Sequence, residues 1–251
     1  GSACAQCGYQ QSCLDTTFAQ GNLGDWSATE GALLVDQFAE TTAPTGGHML
    51  FLTTGSELVQ TGSSATWQDC LPAGSYMMVV SWQLYSTELM EFCNSAFMDR
   101  WSVDLVSNGQ TQSLIGYTVQ DICPTTVECP DCGQLGTELF PSDEPLDQGG
   151  VYRTEWLESW APVTVASGTS PFDLIFSVED VGDSVFDTVV LVDRIRFVDC
   201  ENACEFIVCG SNPCGVDCGA CAQGGVCQAG SCCYPSCDGK ECGNDGCGGS
   251  C

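Results

Sequence analysis

The chain has 251 residues, 43% of them apolar, and its 33 acidic residues against 5 basic ones give a net charge of −28. This charge excludes a protein that grips nucleic acid through the phosphate backbone, because such binding depends on Lys and Arg. No apolar run approaches the roughly 18 residues of a membrane span, so none is predicted in this chain. Two interpretations of the carboxylates stay open: a soluble acidic surface, or ligands for calcium.

Residues 1–199 contain apolar runs separated by Gly, Asn, Asp and Ser, a pattern typical of β-strands joined by turns. Strands are predicted at 48–55, 75–87, 99–109, 171–180 and 187–200. No segment shows sustained helical periodicity. The expected fold class is therefore all-β, an antiparallel β-sandwich or jelly roll followed by small disulfide-rich modules with little regular secondary structure.

Strict alternation assigns side chains to the faces of the last two strands. In 171–180 the predicted core face carries Phe172, Leu174, Phe176 and Val178. In 187–200 the shared face is predicted to carry Val189, Leu191, Asp193, Ile195 and Phe197. A buried carboxylate needs a cation or hydrogen-bond donors. Asp193 is thus expected either to bind calcium or to sit at a kink in the strand.

The segment VYRTEWLESW (151–160) combines aromatic residues with a carboxylate. On one continuous strand, Tyr152, Trp156, Glu158 and Trp160 would face the same way. Rings that flank a carboxylate are suited to binding a sugar, which makes these four residues a candidate carbohydrate site. The alternative is that both tryptophans face the core.

Cysteine makes up about 8% of the chain, which favours an oxidising, extracytoplasmic setting. The cysteines contain an internal repeat, because each of five is followed by another 33 positions later. The first five are Cys200, Cys204, Cys209, Cys214 and Cys218.

The repeat divides the chain into a β-sandwich domain with a cysteine-rich N-terminal segment (1–199), a first repeat (200–232) with enough cysteines for four disulfides, and a second, truncated repeat (233–251). The odd total of 21 cysteines is attributed to this truncation. Cys251 is expected to pair with a missing cysteine or with an earlier one in its repeat. A structural or adhesive stalk is the natural use of such cross-linked units.

Disulfides are preferred over zinc for the three C-x-x-C pairs, since the chain has one histidine and each complete module has an even number of cysteines. The pairing itself cannot be read from the spacing. The cysteines expected in disulfides are Cys4, Cys7, Cys13, Cys70, Cys93, Cys123, Cys129, Cys132, Cys200, Cys204, Cys209, Cys214, Cys218, Cys221, Cys227 and Cys232.

Four stretches carry a family resemblance: GNLGDWSATEG (21–31), GGHMLFLTTG (46–55), SWQLYSTELMEF (81–92) with DRWSVDL (99–105), and DVGDSVFDTVVLVDRIRF (180–197). Together they resemble the bacterial extracellular jelly-roll domains of "choice-of-anchor" surface proteins, although Asp193-Arg194 replaces the Asp-Asn of that family's final strand. The tail CDGKECGNDGCGGSC is similar to the cysteine-rich repeats of secreted myxobacterial proteins. The resemblance implies an extracellular or cell-surface location.

The resemblance also implies one structural calcium ion. Together with the argument about buried carboxylates, it makes Glu88, Asp99, Asp187 and Asp193 the best ligand candidates. Glu91, Asp180 and Asp183 are weaker candidates.

Enzymatic function is not expected, because His48 is the only histidine and no phosphate-binding or dinucleotide-binding motif is present. The leading hypothesis is a structural or adhesive surface protein, a β-sandwich head on a disulfide-rich stalk, and one form of this hypothesis is a subunit of an extracellular filament. Its partners would be further copies or other surface proteins. Strands that are apolar on both faces, such as SYMMVVSWQL, are either candidate pairing surfaces or strands buried inside the sandwich. The alternatives are a carbohydrate-binding module with a glycan partner and a fragment of a secreted hydrolase.

Overall fold

The structure is a computed structural model, and it describes the residues 15–18, 21, 23, 26–55, 62–69, 71–96, 98–144, 146, 149–165, 172–181, 186–200, 204, 208–212, 214–222, 224–228, 231–236 and 247. Within these ranges no helix is both long and apolar enough to cross a membrane. Cys4, Cys7, Cys13, Cys70 and Asp183 lie outside the described residues.

The described chain is built almost wholly of β-strands, which confirms the expected all-β class. The strands are β1 (Asp15–Thr17), β2 (Trp26–Ala28), β3 (Leu33–Val35), β4 (Gln37–Phe38), β5 (Thr41–Thr42), β6 (Met49–Thr53), β7 (Gly62–Asp69), β8 (Gly74–Ser86), β9 (Arg100–Ser107), β10 (Gln110–Thr118), β11 (Leu139–Ser142), β12 (Val151–Thr154), β13 (Leu157–Val165), β14 (Phe172–Glu179), β15 (Thr188–Asp199), β16 (Val226–Gln228) and β17 (Ser231–Cys233). One short helix, α1 (Val119–Ile122), follows β10.

Two antiparallel sheets form the sandwich. The large sheet has eight strands in the order β11-β12-β8-β15-β6-β3, with β13 also pairing with β8 and β1 with β15. The small sheet has five strands in the order β10-β9-β14-β7-β2. All pairings in both sheets are antiparallel, as the sequence predicted.

The main core lies between the sheets. Phe176 of β14 and Trp101 of β9 face Trp82 of β8, and the two tryptophan rings lie 5.8 Å apart. Phe172, Leu174, Phe176 and Val178 are all buried here, as alternation predicts. The polar strands β7 and β10 complete the small sheet although no apolar run marks them in the sequence.

The outer face of the large sheet is also covered, which explains why β8 reads as apolar on both faces. Tyr85 packs edge-on against Phe38 of the β4–β5 hairpin, with ring centroids 5.1 Å apart. Further along β8, Met77 and Val79 are covered by Trp160, Val198 and Cys214. Because β8 has strands on both sides, it offers no edge to another subunit, and its candidacy as a pairing surface is wrong.

A β-bulge in β15 changes the faces predicted for that strand. Register with β8 slips between Val192 and Arg194, so that Asp193 is the extra residue. Before the bulge the main core takes Val190 and Val192, and after it the core takes Ile195 and Phe197. The prediction that one face carries Val189, Leu191, Asp193, Ile195 and Phe197 is therefore wrong, because a bulge interrupts alternation.

Disulfides cross-link the rest of the chain. Cys93–Cys123 and Cys129–Cys132 tie the loops around α1. In residues 200–233 the pairs are Cys200–Cys214, Cys204–Cys218, Cys209–Cys227 and Cys221–Cys232. Cys233–Cys247 begins the next repeat. We call residues 200–236 the cysteine-rich module.

Candidate functional site: a buried acidic cluster and a side cleft

The ends of four strands bring five polar residues together at one end of the sandwich. β6 ends before Thr54, β8 ends at Ser86, and β15 begins at Thr188. Glu88 follows β8 and Asp99 precedes β9. These five residues, which we call the end cluster, are at most 3% exposed.

Hydrogen bonds join the end cluster. The backbone N–H of Asp99 donates to Glu88 Oε2 at 2.8 Å, and Thr54 Oγ1 donates to Asp99 Oδ2 at 3.0 Å. Thr188 Oγ1 donates to Ser86 Oγ at 2.9 Å, while its backbone N–H donates to Thr54 Oγ1 at 2.8 Å. Two buried carboxylates thus belong to one network of oxygen atoms.

Burial has an electrostatic cost at Asp99. Desolvation raises the pKa of its carboxyl to about 7, against hydrogen bonds from Thr188 and Thr54 that lower it. The charge of Asp180 raises this pKa further. Asp180 lies nearby, because the next residue, Val181, donates its backbone N–H to Asp99 Oδ1 at 3.3 Å. A divalent cation would offset this cost, since hard cations take carboxylate and carbonyl oxygens as ligands.

Asp187 adjoins the end cluster through Gly55. The carboxylate of Asp187 occupies the space where a Cβ on Gly55 would lie, with its Oδ1 1.6 Å from that position. Only glycine permits this approach, so any side chain at position 55 would displace the carboxylate. The Asp187 carbonyl accepts the backbone N–H of Thr87 at 3.1 Å, which ties β15 to the end of β8.

The fourth sequence candidate, Asp193, lies elsewhere. It is the bulge residue of β15, five positions or about 16 Å along the strand from Thr188. Its carboxylate accepts the Thr45 hydroxyl at 2.8 Å and the Thr45 backbone N–H at 3.2 Å. Burial raises the pKa of this carboxyl, and the two hydrogen bonds from Thr45 lower it by a smaller amount. The structure therefore places Asp193 at a kink, where hydrogen-bond donors meet it.

The two weaker calcium candidates within the described residues, Asp180 and Glu91, also differ in position. Asp180 follows β14 beside Asp99 and adds a carboxylate to the surroundings of the end cluster. Glu91 is exposed on the turn after β8, close in sequence to Glu88. The calcium candidates that lie at this end of the sandwich are therefore Glu88, Asp99, Asp180 and Asp187, although no three of their carboxylates come within 4.8 Å of one another.

The four residues of the candidate carbohydrate site do not share a face. The strand predicted at 151–160 is broken after Thr154, with Tyr152 on β12 and Trp160 on β13. Tyr152 packs on the main core, Trp156 on the cluster around Tyr85, and Trp160 beside Val79. Glu158 is exposed and bonds to Arg196 Nη2 at 2.8 Å.

A cleft of about 600 Å³ opens instead beside β11 and β12, and we call it the side cleft. Its lining is Ala39, Glu40, Pro141, Ser142, Asp143, Glu144 and Arg153. The Arg153 guanidinium forms an ion pair with Glu40 and lies 5.2 Å from the centre of the Phe140 ring. Ser142 Oγ donates to the other Glu40 oxygen at 3.2 Å. Charged donors and acceptors held in this way suit a polyhydroxylated ligand.

Among the described residues, one group of three potential metal-binding side chains has its ligand atoms close together, and it consists of cysteine sulfurs and not of the carboxylates of the end cluster. The sulfurs of Cys209, Cys221 and Cys232 lie within 4.8 Å of one another. All three belong to disulfides, Cys209–Cys227 and Cys221–Cys232, which pack side by side. A disulfide sulfur carries no thiolate charge, so this group does not provide a zinc site.

No protein-family model and no curated protein sequence matches the chain. Among solved structures it is similar to TmCBM61 in complex with β-1,4-galactotriose, at 11% identity and a TM-score of 0.40 over 76% of this chain and 97% of that one. It is also similar to CBM28, a carbohydrate-binding module specific for non-crystalline cellulose, at 15% identity and a TM-score of 0.40 over 72% and 91%.

A third similar structure is the K3 cleaved adhesin domain of Lys-gingipain from Porphyromonas gingivalis, at 12% identity and a TM-score of 0.41 over 74% of this chain and 98% of that one. Identities and TM-scores this low do not assign the chain to any of these families.

Proposed function

We propose that the chain is a non-catalytic extracellular protein with a structural or adhesive role, a β-sandwich head fixed to a disulfide-rich stalk. The observation that carries this proposal is the joint between sandwich and module. The backbone N–H of Cys200 donates to the Ser75 carbonyl at 3.0 Å, which continues the β15–β8 ladder into the module. The Cys200–Cys214 disulfide then brings Cys214 back onto Met77 and Val79.

The joint contains a buried polar clamp. Asn212, 3% exposed, donates its side-chain N–H to the Cys200 carbonyl at 3.1 Å. Its side-chain oxygen accepts the backbone N–H of Val216 at 2.9 Å. Two contacts join the module to the sandwich, the hydrogen bond from Cys200 to Ser75 and the packing of Cys214 on Met77 and Val79, and we expect them to give the module a fixed orientation. A fixed orientation suits a stalk that holds the β-sandwich head away from the surface to which the stalk is attached.

The start of the second repeat supports the same function. Cys232 closes the first repeat by pairing with Cys221, and the next residue, Cys233, pairs with Cys247. Adjacent cysteines in separate disulfides leave no spacer between the repeats. Under this proposal, repeats joined without a spacer would form a stiff rod rather than a flexible tether.

Microscopy and a substrate screen together test the proposal. In oxidising buffer with calcium we expect electron micrographs of head-and-rod particles or ordered polymers, and no turnover of polysaccharide, peptide or ester substrates. Turnover that survives further purification and is lost on substitution of a residue in this chain would contradict the proposal.

Carbohydrate binding is the second candidate, and the side cleft favours it. If the cleft binds a glycan, Arg153→Ala should abolish binding on a glycan array. The matched control is Arg196→Ala, which also breaks an arginine–glutamate pair but does not line the side cleft. Equal loss in both variants, or in neither, would count against the side cleft as the site.

We also propose that the end cluster holds a structural calcium ion. Glu88 and Asp99, with Asp180 and Asp187 beside them, offer only oxygen donors, and such a donor set fits calcium. The bound ion would hold the ends of β8, β14 and β15 together and would stabilise the sandwich without taking part in chemistry.

A further inference from the structure

The joint between the sandwich and the first repeat has a definite strand register. β15 runs antiparallel to β8 until Asp199 pairs with Tyr76. The next residue, Cys200, is the first cysteine of the repeat, and its backbone N–H donates to the Ser75 carbonyl at 3.0 Å. The first repeat therefore begins as a direct continuation of a strand ladder.

One face of β8 receives the first repeat. Ser75, Met77 and Val79 alternate along the strand and share that face. Ser75 stays exposed, whereas Met77 and Val79 are buried with Cys214 packed against them. Cys214 is bonded to Cys200, 14 positions earlier in the chain. The disulfide thus folds the repeat back onto the sheet from which it started.

The second repeat begins with the same arrangement. Cys233, which stands 33 positions after Cys200, is the last residue of β17 and pairs with Val226 of the antiparallel strand β16. Its disulfide with Cys247 again spans 14 positions. Cys247 is 6% exposed, so it is packed within the protein. The β16–β17 hairpin precedes the second repeat as β8 and β15 precede the first.

The shared register assigns counterparts to the residues of the first joint. Val226, opposite Cys233, corresponds to Ser75, and both residues are exposed. Gln228 stands two positions further along β16 and corresponds to Met77. The register therefore predicts that the far end of the second disulfide meets the strand at Gln228.

We propose that the β16–β17 hairpin is the docking surface for the second repeat. The occupant is residues 233–251 of this chain, because a disulfide already ties that segment to β17. Cys247 packs there on Gln228, the counterpart of Met77. Each repeat then carries the surface on which the next one docks, so that successive repeats follow at a constant angle. This inference rests on the proposed structural function and describes how its stalk is assembled.

Two differences in sequence should make the second joint weaker than the first. Gln228 stands where the first joint has the apolar Met77. Asp245 stands at the repeat position of Asn212, whose side-chain N–H donates to the Cys200 carbonyl at 3.1 Å. An ionised carboxylate has no hydrogen to donate, so Asp245 cannot make the equivalent bond. Giving the second joint the residues of the first should therefore tighten it.

Limited reduction of the whole chain tests the docking. The double variant Gln228→Met/Asp245→Asn adds an apolar contact and a hydrogen-bond donor to the second joint. We expect the Cys233–Cys247 disulfide to be reduced about tenfold more slowly than in the parent protein, the effect of about one added hydrogen bond. The reason is that Cys247 is buried, so a reductant reaches it when the joint opens. Alkylation of the released thiols, followed by mass spectrometry, measures the rate.

The matched control is Gln112→Met/Asp131→Asn, which makes the same two changes at exposed positions of the sandwich. In this variant the disulfide should be reduced at the parental rate. A control that slows reduction equally, or a Gln228→Met/Asp245→Asn variant that reacts at the parental rate, would overturn the proposal. The melting curve of each variant verifies that its sandwich is folded.

Nuclear Overhauser effects locate the contact. In the parent protein we expect cross-peaks between side-chain protons of Cys247 and Gln228. Their absence would mean that the disulfide alone holds the second repeat, and it would overturn the docking surface. Such a result would leave the non-catalytic role of the sandwich head intact, whereas substrate turnover would defeat that role without affecting the docking.

Discussion

At the scale of single residues, the end cluster buries Glu88 and Asp99 within one hydrogen-bond network, and the testable question is whether it binds calcium. If calcium binds there, adding it to chelated protein at about 100 times its dissociation constant should raise the melting temperature by about 5–10 °C. Asp99→Asn should abolish this rise, since the amide loses the charge but keeps the shape.

The control for this prediction is Asp131→Asn, which removes a carboxylate from an exposed turn and should leave the calcium effect unchanged. A melting temperature that does not respond to calcium in the parent protein would refute the calcium site. A response that persists in Asp99→Asn would place the ion elsewhere.

A second prediction at this scale concerns how Asp193 makes the stability of the fold depend on pH. Burial raises the pKa of Asp193 above the ordinary value of 3.8. Between those two values the carboxyl is protonated in the folded state and ionised in the unfolded state. Stability should therefore fall as pH rises from about 4 through the raised pKa. Asp193→Asn should remove this contribution and be more stable than the parent at pH 8, measured by urea unfolding at several pH values.

Asp36→Asn is the reference for that experiment, because Asp36 is exposed. If the two substitutions change the pH profile equally, burial of Asp193 is not the cause.

At the scale of elements, the bulge in β15 can be tested by deleting residue 193. Deletion would join Val192 to Arg194 in a regular ladder, because these two residues already pair with the consecutive residues Trp82 and Ser81, and it would keep Ile195 and Phe197 in the main core. We expect a loss of only about 1–3 kcal/mol, from the two hydrogen bonds that Asp193 accepts from Thr45. Asp193→Asn keeps the residue count and is the control; a loss of about 4 kcal/mol or more on deletion, comparable with removing a large core side chain, would show that the bulge itself is needed for packing.

The same strand shows how far the sequence predicts the fold. Apolar runs located β6, β8, β9, β14 and β15. They missed β7 and β10, whose Ser, Thr and Gln side chains give little apolar contrast. Alternation failed at Asp193 because one inserted residue leaves no mark in composition. Glu88 and Asp99 could be proposed from sequence, but the side cleft could not, since Glu40 and Arg153 are 113 positions apart.

The repeat supports a further prediction at this scale. The Cys233–Cys247 bond repeats Cys200–Cys214 at the same offset, so the next pair of the first repeat, Cys204–Cys218, predicts Cys237–Cys251. These two residues lie outside the described part of the chain. By the same register the partner of Cys242 falls beyond position 251, so Cys242 rather than Cys251 is the unmatched cysteine in this chain.

Peptide mapping by mass spectrometry without reduction checks this pairing. We expect a Cys237–Cys251 cross-linked peptide and alkylation at Cys242. Alkylation at Cys251 instead would mean that the two repeats do not share a pairing pattern.

At the scale of the whole molecule, sandwich and module are stabilised by different means. The sandwich has a main core that joins both sheets, whereas the first repeat places four disulfides within 33 residues. A unit this small cannot bury enough apolar surface to fold without cross-links. Each disulfide contributes about 2–4 kcal/mol, mainly by constraining the unfolded chain.

Reduction should therefore unfold the module and leave the sandwich folded. Hydrogen exchange in the presence of a reductant should show lost protection in residues 208–236 and retained protection in β8, β14 and β15. Because Met77 and Val79 lose their contact with Cys214, and because the loops around α1 lose Cys93–Cys123 and Cys129–Cys132, the melting temperature of the sandwich should also fall, by more than the roughly 2–4 °C that a loss of about 1 kcal/mol would cause. Full protection of the module under reducing conditions would show that packing, not cross-linking, maintains the stalk.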